Sequence, residues 1–275
     1  MNMIKAGFQG VSGSFSEEAL FSYFSSNLKA VAFPEFEDIM FAIREGHIDY
    51  GILPVENSST GAITQVYDLL NQHEAYITGE ICLKVKQHLL ALPGAGIEDI
   101  KEVYSHPQGF EQSRPFLKQY PSWKLIPYYN TAKSAELVKE SQSKSMGAIA
   151  SGKAAELYEL SILRESINYN TLNTTRFIIL SKELKVGEEC NKISIVLSTK
   201  HIAGSLYNVL RHFAENKINM LKIESRPIPD KPWEYFFYVD IEGNLADDTI
   251  QLAIENIKKD SEYFKILGNY RKFEE

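Results

Sequence analysis

Residues 173–180 read NTTRFIIL, and the order places two threonine hydroxyls and a guanidinium before four consecutive hydrophobes. Phe177, Ile178, Ile179 and Leu180 have the character of a buried strand, which has no need of a charge. Thr174, Thr175 and Arg176 at its mouth fit either a solvated strand end or a grip on a ligand, and the tetrad alone favours the first. Similar polar groups recur elsewhere. ENSSTG carries Glu56, Asn57, Ser58 and Thr60; SHPQ carries Ser105, His106 and Gln108; NTAKS carries Thr131, and IASGK carries Ser151. Each follows an apolar run and precedes a helical pattern. Helix N-termini offer free amide donors and a partial positive charge, so they attract anions. Gathered in one crevice, such junctions would suit a small, multiply anionic organic acid.

Other chemistries find less footing. His106 is the only histidine at one of these junctions, where it fits a structural hydrogen bond or a general acid. His47, His73, His88, His201 and His212 show no HExxH or mixed Cys/His spacing, so no metal site is expected. Gly7, Gly10 and Gly13 are spaced G-x-x-G-x-x-G, which reads as a tight strand-to-helix turn rather than a dinucleotide loop. No GxxxxGK[ST] and no GxSxG elbow occurs.

The elements that must position these groups repeat one theme over residues 4–180: apolar strand, short polar turn, helix. The first unit has Ser14 and Glu17 at capping-box spacing. The next places Pro54 in its strand and Ser58 to Thr60 before its helix. Ser105, Thr131 and Ser151 are the expected caps of three further helices, and Pro115 implies a kink or an early end in the first of these. Five strand-to-helix junctions indicate an α/β architecture with largely parallel sheet. Residues 81–92, ICLKVKQHLLAL, read as one strand crossing into a second lobe. SKELKVGEECNK (181–192) is charged and contains Gly187, which sets a domain boundary with no core residues tying the two parts together. Beyond it the order is βαββαβ, with Leu206, Val209, Leu210 and Phe213 on one helix face and Ile250, Ile254 and Ile257 on the other helix. That order is the split-βαβ, ferredoxin-like arrangement.

The bulk composition narrows the class. The 275 residues suffice for two domains, and 44% hydrophobic with 24% charged is ordinary for a globular protein. Acids exceed bases 36 to 29, giving a net charge of -7, and no long basic tract occurs, which disfavours nucleic acid. The N-terminal stretch lacks signal-peptide character and no run approaches ~20 apolar residues, so no membrane association is expected. Cys82 and Cys190, without a CxxC, suit unpaired thiols in a reducing cytoplasm.

FQGVSGSFSEEA, LPVENSSTG, SHPQ, GAIAS, NTTRF and ESRP occur in the order found in prephenate dehydratases, which this chain resembles over essentially its whole length. The resemblance implies a bilobal catalytic region like the type II periplasmic binding proteins (residues 1–183), a linker (184–191) and an ACT regulatory domain (192–275). It implies decarboxylative dehydration of prephenate to phenylpyruvate, with no cofactor, because the electrons released by decarboxylation expel the ring hydroxyl. An arogenate dehydratase is the alternative it leaves open. It further implies Thr175 as the group assisting departure of that hydroxyl, with Arg176 and Phe177 beside it in the catalytic set. Glu56, Asn57, Ser58, Ser105, His106, Gln108, Ser151 and Thr174 are the implied substrate ligands. L-phenylalanine is the implied effector, held by Gly204, Leu206, Asn219, Met220, Glu224, Ser225 and Arg226 at the junction of a homodimer or homotetramer. No chorismate mutase helices precede Met1, so a single activity is expected. The sequence departs from the family at Gly109, where alanine is common, at GSLY (204–207) and at VSGS (11–14).

Overall fold

The structure, a computed structural model, describes residues 3–24, 27–170 and 172–274. In chain order the first elements are β1 (Ile4–Gln9), α1 (Phe15–Phe24), β2 (Leu28–Phe33), α2 (Phe36–Arg44), β3 (Tyr50–Asn57), β4 (Gly61–Ala62), α3 (Thr64–Gln72) and β5 (Tyr76–Lys84). There follow β6 (His88–Ala91), β7 (Glu102–Ser105), α4 (Pro107–Gln112), α5 (Arg114–Leu117), β8 (Lys124–Pro127), α6 (Thr131–Ser141), β9 (Met146–Ala150), α7 (Gly152–Leu157), β10 (Ser161–Arg164) and β11 (Thr174–Ser181). The last are β12 (Lys192–Ser198), α8 (Ser205–Glu215), β13 (Met220–Pro227), β14 (Tyr235–Glu242), α9 (Asp248–Asp260) and β15 (Tyr263–Tyr270). No helix among the described residues is long and apolar enough to cross a membrane.

Two compact units result: Met1–Phe36, Glu56–Gly61 and Cys82–Arg176 form one, and Glu37–Val55, Ala62–Ile81 and Phe177–Glu275 the other. In the first, β1 and β2 pair in parallel, Ile4 opposite Leu28 through Gln9 opposite Phe33. A five-stranded sheet runs β10-β6-β9-β7-β8. Its parallel pairs are β7–β8 and β7–β9, while β6 runs antiparallel to both β9 and β10. Leu89 and Ile149 enter one core with Val103 and Trp123, whereas Leu90, Ala148 and Ala150 enter another with Val138 of α6. Alternate residues thus serve opposite faces. Both faces of β6 and β9 are buried, which is why these two strands read as unbroken apolar runs.

In the second unit, β12 to β15 and their two helices build the βαββαβ module, with strand order β13-β14-β12-β15. Ile193, Ile195 and Leu197 meet Val209 and Phe213 of α8 and Ile250, Ile254 and Ile257 of α9 in one core. The predicted periodicity marks Val209, Phe213, Ile250, Ile254 and Ile257 correctly, with Leu210 packed against the core, whereas Leu206 lines a surface pocket instead. The module is tied more closely to the preceding chain than its charged linker suggests. β15 pairs with β5 at Gly268 opposite Ile77, where a Cβ on residue 268 would collide with the Ile77 carbonyl. Lys265 Nζ donates to the carbonyls of Leu70, Asn71 and His73 at the C-terminal end of α3, where a cation also meets the negative end of the helix dipole. Lys192 Nζ lies 2.7 Å from Glu80 Oε2 in a buried pair.

Several local expectations are corrected. His106, not Ser105, caps α4, accepting the Gln108 N–H on Nδ1, and Asn130, not Thr131, caps α6. A neighbouring residue with a better-placed acceptor wins in each case. Ser58 to Thr60 do not lead straight into a helix: β4 intervenes, and α3 starts behind Ile63 without a side-chain cap. Residues 81–92 are two strands, parted where Val85 N–H turns to Asn173 O and Gln87 N–H to Asn168 Oδ1. The break near Pro115 falls between α4 and α5, at Ser113. At α1, Ser14 Oγ accepts the Glu17 N–H, while the Glu17 carboxylate takes the N–H of Gly13, one residue upstream of the expected return bond.

Candidate active site

Asn57 ends β3 and folds its side chain over the turn that follows. Its Oδ1 accepts the backbone N–H groups of Ser59 and Thr60 at 3.0 and 3.1 Å and the Thr60 hydroxyl at 3.2 Å. A backbone N–H can only donate, so the amide orientation is fixed. Asn57 Nδ2 therefore points the other way, to Thr175 Oγ1 at 2.9 Å and Asn173 Oδ1 at 2.8 Å. Thr175 is 8% exposed and Asn57 5%, so the contact is shielded from bulk water. With Oγ1 accepting from an amide, the Thr175 hydroxyl proton is left to be donated.

β11 lies beside β3, and strand alternation separates two jobs. Asn57 and Thr175 meet on one face. Glu56 and Arg176, each one residue away, meet on the other, with Arg176 Nη2 3.1 Å from Glu56 Oε2. Ser58 and Thr174 stitch the strand ends together: Ser58 N–H donates to Thr174 O, and Thr174 N–H donates to Ser58 Oγ. Phe177, next along β11, is buried.

A third element joins this cluster. Gln108, at the start of α4, donates from Nε2 to Thr60 Oγ1 at 3.2 Å, which continues the chain of hydrogen bonds to Asn57 and Thr175. His106 sits exposed beside it with Nδ1 occupied by the Gln108 N–H, and desolvation holds its pKa below the ordinary histidine value. Because Nδ1 accepts, a neutral ring carries its proton on Nε2. Ser105 is fully buried and donates to Ile149 O, and with the hydroxyl placed so, a Cβ on residue 109 would meet its Oγ. Ser151 is also buried, accepting the Ala154 N–H and donating to Gly13 O, so it links the α7 start to the 11–14 turn. Asn57, Gln108 and Thr175 therefore come together as one polar cluster, while Ser105 and Ser151 have their hydroxyls committed to the backbone.

Asn173 belongs to the cluster and is absent from the sequence-derived set. Its only local signal is its place two residues before Thr175, and its partner lies 116 positions away in the chain. Among the described residues no group of three or more His, Cys, Asp or Glu is placed to hold a metal.

The seven proposed effector residues fall in two patches of the second unit. Gly204, in the left-handed region at φ 85°, caps α8, and residues 199–207 line a pocket of about 420 Å³ that includes Leu206. Asn219, Met220, Glu224, Ser225 and Arg226 lie on or beside β13, separated from β12 by β14. Asn219 donates to Glu242, and Glu224 faces Lys222 at 3.6 Å. Met220 and Ser225 are exposed. Arg226 is engaged by Asp68 of α3 in a two-pronged pair, Nε to Oδ1 at 3.2 Å and Nη2 to Oδ2 at 2.8 Å, which raises its pKa further.

The chain as a whole is similar to known proteins. The sequence profile of the prephenate dehydratase family matches residues 6–185. A bifunctional chorismate mutase/prephenate dehydratase of Enterobacter agglomerans is 34% identical over 97% of this chain and 70% of its own length. A prephenate dehydratase from Arthrobacter aurescens, solved in complex with L-Phe, superposes with a TM-score of 0.89 at 27% identity, covering 98% of this chain and 90% of that one. GqqA, described as a novel type of quorum quenching acylase, superposes with a TM-score of 0.89 at 28% identity over 98% of both chains.

Proposed function

The chain belongs to the prephenate dehydratase family, and from that premise we propose that it converts prephenate to phenylpyruvate, carbon dioxide and water. The observation that carries the reading is the Asn57–Thr175 contact, a shielded hydroxyl whose oxygen already accepts and whose proton is free. In prephenate the ring carboxylate and ring hydroxyl stand on opposite ring carbons. The carbon–carbon bond to the carboxylate breaks, its electron pair enters the ring, and the carbon–oxygen bond opposite breaks with its pair leaving on oxygen. The products are carbon dioxide, an aromatic ring and hydroxide, a poor leaving group unless it is protonated as it departs. Thr175 supplies that proton, so water leaves, and the alkoxide left on Oγ1 regains a proton from solvent before the next turnover. A threonine is far too weak an acid to act in a separate step, and proton transfer accompanies bond cleavage. Asn57 Nδ2 then stabilises the charge that develops on Oγ1, a donor aimed in advance at the place where charge appears. Gln108 and Thr60 hold the Asn57 turn, and the Glu56–Arg176 pair braces the two strands from behind.

Acyl transfer would require a hydroxyl activated by a base. Among the described residues no serine or threonine hydroxyl bonds to a histidine ring, and the two groups on Asn57 and Thr175 include no base. Arogenate undergoes the same elimination with an amino group in place of the keto oxygen, and the Thr175 chemistry would serve it equally. Offering both acids side by side to the purified protein tests the reading: phenylpyruvate from prephenate supports it, and phenylalanine from arogenate alone would replace it.

The remaining features support a regulatory role for the C-terminal module as an ACT domain, with residues 1–183 catalytic, 184–191 a linker and 192–275 regulatory. L-phenylalanine is the effector, as the ligand of the Arthrobacter relative suggests. The 199–207 pocket and the β13 residues stand two strands apart, roughly 10 Å at the usual strand spacing. A second copy of the chain, bringing its own β13 to this pocket, would complete the effector site, so the working form is a homodimer at least.

A further inference from the structure

Asn173 is 0% exposed, and among the described residues its side chain is hydrogen-bonded through one atom. Its Oδ1 accepts from Asn57 Nδ2 at 2.8 Å and from the Ser59 hydroxyl at 3.3 Å, and Ser59 Oγ in turn accepts from Asn170 Nδ2 at 2.8 Å. Its backbone carbonyl receives the Val85 N–H at 2.8 Å, which anchors the residue independently of its side chain. Among the described residues Asn173 Nδ2 is buried with no hydrogen-bond partner. Turning the amide over would not relieve this. It would oppose two NH2 groups, because the Asn57 orientation is already fixed by the backbone donors of Ser59 and Thr60. A buried amide donor left unpaired is unfavourable, so what this side chain contributes is its acceptor.

The arrangement makes sense through Asn57. An amide NH2 has two hydrogens. Asn173 Oδ1 takes one, which aligns the amide plane and aims the second at Thr175 Oγ1. We infer that Asn173 is a positioning residue for the dehydration, acting through Asn57 to orient the Thr175 hydroxyl. The inference rests on the reading of Thr175 as proton donor. It goes beyond it in assigning a function to a side chain that has no need to touch the substrate.

The test uses the full chain and begins with wild-type turnover of prephenate, whose absence would overturn the dehydratase reading itself. With that activity in hand, Asn173→Ala lowers kcat about 10- to 100-fold while KM stays within about threefold. The decisive readout is the double variant. In a Thr175→Ala background Asn173→Ala costs no further kcat, because its only route to the reaction has been removed. Multiplying losses, or a wild-type kcat in Asn173→Ala, overturn the inference. If the alanine variant does not fold, Asn173→Asp decides, since it keeps the acceptor facing Asn57. The added charge raises KM for the dianion, whereas kcat falls much less than in Asn57→Ala. A kcat as low as that of Asn57→Ala overturns it.

Discussion

Asn57 Nδ2 and Thr175 Oγ1 lie 2.9 Å apart on neighbouring strands, joined across 118 positions of sequence. The direction of this bond matters more than its length. An accepting Thr175 is a free donor; a Thr175 that donated to Asn57 would have nothing to give a leaving hydroxyl. The backbone N–H groups of Ser59 and Thr60 impose that direction by claiming Asn57 Oδ1.

Asn57→Asp separates the two ends of this amide. The carboxylate still accepts from Ser59 and Thr60, so the turn should persist, although a buried charge facing Asn173 lowers the melting temperature. The donor to Thr175 is gone, and an ionised oxygen now competes for the threonine proton. Steady-state kinetics should show kcat reduced by about 100-fold or more with intact folding by circular dichroism. Near-normal turnover would mean that the direction of the bond is immaterial.

Much of this was legible beforehand, and the failures have a common cause. Hydrophobic periodicity located the βαββαβ module, because Val209, Phe213, Ile254 and Ile257 are buried for packing alone. The polar strand ends at 56–58, 105–108 and 174–176 were also visible, since apolar runs there give way to hydroxyls and amides. Which of those groups meet was not visible. Ser105 and Ser151 have the same local signature as Asn57, yet their hydroxyls end on the carbonyls of Ile149 and Gly13, contacts set by pairings distant in the chain. Asn173 lacks a local mark for the same reason, its partner lying 116 positions away. The split of residues 81–92 depends on Asn168 and Asn173, more than 80 positions downstream.

A second prediction concerns pH. His88 and His106 each accept a backbone N–H on Nδ1, from Ser166 and Gln108, and desolvation is the main cause lowering both pKa values. Unfolded histidines titrate near 6.5. Between the lowered folded values and about 6.5 the unfolded chain binds more protons, so stability rises with pH through that window and is lost on acidification. The urea midpoint should fall between about pH 7 and pH 5.5, and His88→Asn, which keeps an acceptor for Ser166, should flatten the slope. A midpoint that holds or rises in acid would show that neither ring contributes.

Control by phenylalanine gives the third. Asp68 holds Arg226 from α3, the helix that follows the Asn57 turn in the chain, and Lys265 holds the end of the same helix. A ligand that favours one arrangement of the module must act through contacts that differ between arrangements. Asp68→Asn removes one charge of the pair, and the phenylalanine concentration for half-inhibition should rise about 5-fold or more. Inhibition curves and thermal shifts with phenylalanine check this together; unchanged values in both would place the coupling elsewhere.

The central claim is that the Thr175 proton carries the departure of the ring hydroxyl. Its most direct test is the rate of phenylpyruvate formation from prephenate by wild type, Thr175→Ser and Thr175→Ala, under saturating substrate. The account predicts a loss of about 100- to 10,000-fold in kcat for alanine with little change in KM, and a smaller loss for serine, which keeps the hydroxyl. An alanine variant that turns over prephenate at close to the wild-type rate would contradict it.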